Sequence, residues 1–434
     1  MATLLKPRRN ATEEFVKKGV RPGEDFRVGA IRPEVRLAPI KRVAIFAEAF
    51  LPKIDGVSKT AVLVARHLMN TQREVLIFAP DNNGYTPKML DKAPVITVPS
   101  WGLPFVPETK VGFPAPMVTT HLDEFQPDMI HLFSPAVLSV AGVLFGTNRR
   151  VPVVANYQTD LPGYSARYGY SLLSNTIRDG LRVMHNRAHL TLVPSHTIIR
   201  QLKEWGFRRL RLWTRGVDSQ MFTPQRRSAE MRQRLLAGRP DSSLLVIYVG
   251  RLATEKRVDL LREVAKLPGV ALTIVGDGAQ REELEAMFGG QAHFTGYMFG
   301  EELATAYASA DLFAFTGTNE TFGQVVTEAM ASGLPVLVPN AGGVVDLVLD
   351  GMNGYICQED PDDYRNRVAW MRDHPERRQR MSELALEYTH TRPWESLMEE
   401  LEEHYWEAWR LNQRLKTSEE AALRLFDDLP ARNS

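Results

Sequence analysis

The feature that most constrains the fold is an alternation that runs through part of the chain and then begins again. Short apolar runs bounded by polar residues recur at 43–46, 75–78, 95–98, 129–132, 151–155 and 190–193. Amphipathic stretches at helical spacing separate most of them, as at 57–69 and 135–146. Strands alternating with helices predict a parallel, doubly wound α/β sheet. The pattern restarts at 244–249 and continues through 271–275, 293–294, 312–315, 336–338 and 354–356. At 434 residues the chain exceeds what one core ordinarily holds, so two α/β domains are expected. Between the two series lie Gly216, Pro224 and the charged stretch 225–241, which read as the interdomain connection.

The organisation expected is a basic extension over 1–40, an N-terminal domain over 41–217 and a C-terminal domain over 218–389. A helix at 390–412, rich in Trp394, Tyr405, Trp406 and Trp409, is expected to complete the first domain, with 413–434 a polar tail. So much aromatic surface needs a partner, and the body of its own chain is favoured over a membrane. Residues 1–42 carry eleven Lys/Arg against five Asp/Glu, leaving 42 against 47 for the rest. That arm reads as a solubilising extension, with contact to an anionic surface as the alternative. No basic stripe is interleaved with aromatics, so nucleic acid is not an expected partner.

The single cysteine, Cys357, excludes an internal disulfide and a cysteine-rich zinc site, and its apolar neighbours suggest a buried strand position. The opening residues do not read as a secretory signal. The longest apolar stretch, 135–146, falls well short of the ~20 residues a membrane span needs. A cytoplasmic enzyme is the expectation.

The chemistry concentrates at strand ends. Glu320-Thr321-Phe322-Gly323-Gln324 follows an apolar run, and a helical pattern then carries Glu328 before Gly333 and Pro335 stop it. The eight-residue spacing of Glu320 and Glu328 means little, since Glu395/Glu403 and Glu399/Glu407 repeat it. Its placement does carry meaning. A loop between a strand's carboxyl end and a helix's amino end is where open α/β sheets bind ligands, and helix N-termini favour phosphate. Arg251 and Lys256 follow an earlier strand and could bracket a diphosphate. Gly276-Asp277-Gly278 reads as a tight turn, and 294–299, including Met298, as a shelf for a nucleobase, with Tyr297 as fitting for packing as for stacking. In the first half, Gly56 precedes a helix and would let backbone approach a phosphate, while Gln158 and Asp160 face the same cleft. Neither G-x-G-x-x-G nor G-x-x-x-x-G-K-[ST] occurs, which removes the main support for an NAD enzyme and for a P-loop kinase. Asp360, Asp362 and Asp363 read as a helix cap rather than a metal site.

Taken together and in order, Phe50 to Gly56, Gly216-Val217-Asp218, Gly250 to Lys256, Gly276 to Gly278 and Glu320 to Gly333 resemble the retaining glycosyltransferases of family 4. The resemblance spans roughly Lys41 to Trp409. It implies the GT-B fold, two facing Rossmann-like domains with a C-terminal crossover helix. It also implies that Glu328 holds the donor ribose and that Glu320 meets the donor sugar. Backbone N–H groups around Thr321, Phe322, Gly323 and Gln324 would surround sugar and phosphate. Arg251 and Lys256 would neutralise the diphosphate without a metal or other cofactor, and Gly56 would touch the phosphates. Many members carry histidine where this chain has Gln158, so a histidine role does not carry over.

Within the family, the motifs resemble both GDP-mannose-dependent α-mannosyltransferases and sulfoquinovosyl transferases acting on diacylglycerol. The expectation is therefore a hexosyltransferase moving mannose from GDP-mannose to a lipid-type hydroxyl, peripheral on the inner membrane face. UDP-sulfoquinovose as donor is the alternative. A non-catalytic nucleotide-sugar-binding protein of the same fold is the competing reading from another class.

Overall fold

The computed structural model describes residues 39–427 apart from 54, 104–105, 114, 134–135 and 168–170; the basic extension thus lies almost wholly outside the described residues. The N-terminal domain begins with β1 (Arg42–Ala47), β2 (Glu74–Pro80), β3 (Met89–Leu90) and β4 (Ala93–Val98), followed by a two-stranded hairpin of β5 (Ser100–Leu103) and β6 (Val106–Gly112). It continues with β7 (Met129–Phe133), β8 (Val153–Asn156), β9 (Leu190–Val193) and β10 (Leu210–Leu212). Its main sheet has the order β10-β9-β8-β7-β1-β2-β4-β3, and only β3 runs antiparallel to its neighbour.

The C-terminal sheet takes β11 (Leu244–Val249), β12 (Val270–Val275), β13 (Ala292–Gly296), β14 (Leu312–Ala314), β15 (Val336–Pro339) and β16 (Gly354–Cys357) in the order β13-β12-β11-β14-β15-β16. Helices cover both faces, so the central strands are apolar throughout; every residue of β11 is buried. Cys357 is fully buried in β16, and Asp360 caps the helix Pro361–Asp373 by accepting from Asp362 N.

The C-terminal helix Trp394–Asp427 returns to the first domain. Trp394, Met398, Leu401, Tyr405 and Ala408 share one core with Val43 and Ile45 of β1. Polar contacts fix its register. Trp213 Nε1 donates to Leu397 O at 2.8 Å, Tyr405 Oη meets His131 Nδ1 at 2.7 Å, and Glu402 meets His67 at 2.6 Å. The aromatic surface therefore docks on the chain's own body, and the polar stretch from 413 is helical as far as 427. The two interdomain passages touch, with Val217 bridging Pro393.

One local expectation differs. The helix expected over 135–146 runs Ser139–Arg149. No α-helix starts near Arg257. Two 3-10 turns stand there, Thr254–Lys256 and Val258–Leu261, separated by Arg257 at φ 48°. That left-handed residue interrupts the helical path, and the break lets Lys256 face the cleft while Val258, Leu260 and Leu261 enter the core.

Candidate active site

In the C-terminal sheet the strand order reverses between β11 and β14, which opens a crevice beyond their carboxyl ends. The two loops at that switch point carry Arg251 with Lys256, and Glu320. The first loop is pinned from behind. Gly250 N donates to Val275 O, Leu252 N to Asp277 O, and Gln280 N back to Leu252 O. A side chain on Gly276 (φ 140°) would collide with Gly250 O, and one on Gly278 with Leu252 O. These two glycines thus serve the close packing of backbone that aims Arg251. Arg251 Nη2 lies 2.9 Å from Glu255, whose carboxylate is sealed in at 1% exposure, while the arginine side chain stays 34% exposed.

Lys256 crosses to the second loop and pairs with Glu320. Its ammonium also lies 5.8 Å from the Phe315 ring centroid. Burial pulls the Lys256 pKa down, but the field of Glu320 opposes it and the net shift is upward, so the ammonium is held charged. The Glu320 loop is braced by Gly342-Gly343, a pair that attracted no notice in the sequence. Gly343 N donates to Glu320 O at 2.6 Å, and a Cβ on Gly343 would strike Thr321 O. Gly323, at φ 93°, turns the chain into the helix Gln324–Ala331 that carries Glu328. Phe322 and Met298 are buried at 5% and 4% in the domain core, which leaves Phe322 its backbone, and Met298 its backbone, for any ligand.

The first domain closes over these loops. Lys59, in the first turns of the helix Gly56–Asn70, reaches across the cleft to Glu328 at 2.8 Å, with side-chain exposures of only 15% and 9%. A Cβ on Gly56 would stand 3.4 Å from Gln324 Oε1. Thr321 Oγ1 donates to Gln158 O at 2.6 Å, and Ser195 Oγ to Thr321 O at 2.9 Å. Both polar atoms of the Gln158 amide, and Nε2 of Gln324, are buried without a hydrogen-bond partner. Buried amides are usually hydrogen-bonded, so these two groups are suited to polar partners from a ligand in the cleft. Asp160 instead turns to its own chain, accepting from Gly163 N at 3.1 Å and Tyr157 Oη at 3.4 Å at the start of the helix Leu161–Arg167.

The three cations Arg251, Lys256 and Lys59 are thus each matched by a carboxylate. Arg251 with Glu255, Lys256 with Glu320 and Lys59 with Glu328 form three ion pairs, two along one domain and one between domains. Sequence reasoning found four of these six residues. It did not single out Glu255, nor Lys59, which lies 269 residues from its partner. Glu48, at the end of β1, was also passed over. It accepts from Ala136 N and Ser139 N at 3.0 and 2.9 Å, and burial lifts its pKa to about 7. Among the described residues no cluster of His, Cys, Asp or Glu has the make-up of a metal site.

Comparison with known proteins gives this arrangement its family. Residues 232–387 match the family described as glycosyl transferases group 1, and 54–221 match glycosyltransferase family 4. The chain is 40% identical over 369 residues to the GDP-mannose-dependent alpha-mannosyltransferase of Mycobacterium tuberculosis, covering 84% of this chain and 96% of that protein. The chain belongs to the family 4 glycosyltransferases. It is a hexosyltransferase that uses a nucleotide sugar. The transferase is also 36% identical to a sulfoquinovosyl transferase of Arabidopsis thaliana, over 77% of this chain and 67% of that one. Sucrose-phosphate synthase from Thermosynechococcus elongatus shares the GT-B fold at 19% identity, with a TM-score of 0.71 over 85% of this transferase and 99% of the synthase.

Proposed function

We propose that this transferase moves mannose from GDP-mannose to a hydroxyl of a lipid-type acceptor, with retention at the anomeric carbon. The observation that carries the donor is the 40% identity, across nearly the whole of a GDP-mannose-dependent relative. In this reading the diphosphate lies between Arg251, Lys256 and the amino end of the helix Gln324–Ala331. Glu320 meets the sugar hydroxyls and Glu328 the ribose. Gln158 and Gln324 supply the unpaired amides that polar sugar groups satisfy. Asp160 stands on the acceptor side, its carboxylate held at the start of the Leu161–Arg167 helix by Gly163 N.

The reaction breaks the bond between the anomeric carbon and the diphosphate oxygen and forms one to the acceptor oxygen on the same face. The acceptor's hydroxyl proton passes to the departing phosphate oxygen. Charge growing on that phosphate is met by preorganised cations, so catalysis proceeds without a divalent metal or other cofactor. An amphiphilic acceptor fits the first domain's surface, where Val140 and Leu144 share one exposed helix face and Leu172 is 93% exposed. This supports a peripheral place on a membrane, and no helix among the described residues is long and apolar enough to cross one.

The identity to the sulfoquinovosyl transferase supports a second donor. Thermal unfolding with GDP and with UDP separates them, because a bound nucleotide raises the midpoint by mass action. Stabilisation by GDP is expected; stabilisation by UDP alone sinks the mannosyl reading.

A further inference from the structure

One residue at this cleft belongs to no motif noted in the sequence. Tyr164 sits on the helix Leu161–Arg167 of the first domain, which packs against the Thr254–Lys256 turn of the second. That helix is drawn close to the donor loop. A Cβ on Gly163 would lie 3.1 Å from Asn319 Nδ2 and would also collide with Asp160. The Tyr164 ring is largely packed away, and its strongest electrostatic neighbours are Lys256, Glu320, Arg251 and Glu255, the two ion pairs of the diphosphate loops. Its hydroxyl hydrogen-bonds to no described residue, yet it is not among the polar atoms sealed from solvent. It therefore keeps some access to solvent, on a helix that packs against the Thr254–Lys256 turn. Burial raises the phenol's pKa, so it stays a neutral O–H donor.

We propose that Tyr164 is a further first-domain contact to the donor, its hydroxyl donating to a diphosphate oxygen between Arg251 and Lys256. This rests on the reading of those loops as the diphosphate site. A neutral donor suits the place. The cations there are already matched by Glu255 and Glu320, and a phenol adds a hydrogen bond without adding charge. Because it comes from the opposite domain, the contact forms only when the cleft is closed, which ties leaving-group stabilisation to closure.

Two measurements on the full chain test it. With GDP-mannose and vesicles of a total lipid extract, Tyr164→Phe is expected to lower kcat about 10²-fold, as for loss of one preorganised donor. Its GDP affinity should fall by no more than about tenfold, the range of one neutral hydrogen bond. Unchanged kcat, within about twofold, overturns the proposal. So does equal loss of kcat, GDP affinity and thermal midpoint, which marks a packing role. Independently of turnover, 3-fluorotyrosine placed at 164 should shift its fluorine resonance on adding GDP or UDP and not on adding guanosine. A silent resonance overturns the proposal even if the enzyme is active. A wild type that shifts the probe but transfers nothing keeps the contact and refutes the proposed function instead.

Discussion

Replacing Lys59 with Met tests whether the interdomain ion pair competes with the donor. Glu328, the carboxylate assigned to the ribose, pairs with Lys59 of the opposite domain at 2.8 Å. Ribose hydroxyls need the same oxygens, so donor binding competes with the ion pair. With side chains 15% and 9% exposed, the pair lies between a surface salt bridge, contributing about 0–1 kcal/mol, and a buried one, whose disruption costs about 3–5. A release of about 1–2 kcal/mol is the reasonable middle, which is roughly a 5- to 30-fold change in an equilibrium constant. Met keeps most of the aliphatic stem and removes the ammonium, which lies 5.5 Å from the Phe222 ring centroid. Lys59→Met should therefore bind GDP about 5- to 30-fold more tightly by calorimetry, and its donor-free form should scatter X-rays as a more open molecule. Lys59→Arg, which can restore the pair, should behave as wild type. Weaker GDP binding by Lys59→Met would refute the competition and make Lys59 a donor ligand in its own right.

Removing Lys256 acts on chemistry instead. Lys256→Met leaves Glu320 unbalanced beside the diphosphate, and loss of one preorganised cation predicts a fall of about 10²–10³ in kcat, measured as GDP release with saturating donor. Gly343→Ala places a methyl against Thr321 O and within 2.7 Å of Ser195 Oγ. An overpacking cost of about 1–3 kcal/mol should appear in the urea midpoint, with turnover reduced because the Glu320 loop must shift. Glu48 gives a pH test. Its folded pKa is raised from 4.5 to about 7, so the stability associated with its proton is complete below pH 4.5 and lost as pH rises through 7. Glu48→Gln cannot lose a proton. Relative to wild type it should gain up to about 3 kcal/mol between pH 4.5 and 8 in denaturation, and a pH-independent difference would contradict the burial argument.

Much of this architecture was legible because parallel strands covered on both faces read as unbroken apolar runs. Residues 244–249 and 190–193 match β11 and β9 in full, and 271–275 misses β12 by one residue. The unread elements are those without that signal. The hairpin of β5 and β6 carries exposed Trp101 and lies outside the main sheet, and β10 is a three-residue strand at its edge. Arg257 gave no sign of its left-handed backbone, since neither glycine nor asparagine marks it.

The site was half legible for a related reason. Arg251, Lys256 and Glu320 follow strand ends, so local order placed them at one crevice. The Lys59–Glu328 pair depends on how two domains face each other, which no local pattern encodes. Asp160 has a local role that its position after β8 did not signal, since its carboxylate also accepts from Gly163 N and Tyr157 Oη. The Gln158 beside it keeps the open valences.

The central claim is transfer of mannose to a lipid with its anomeric configuration kept. It is tested most directly by incubating the full chain with radiolabelled GDP-mannose, a total lipid extract and a chelator of divalent ions. The account predicts label in the organic phase, in a product with the donor's anomeric configuration. Label that stays in water with GDP-mannose but moves with a UDP-sugar, an inverted product, or transfer abolished by the chelator would contradict it.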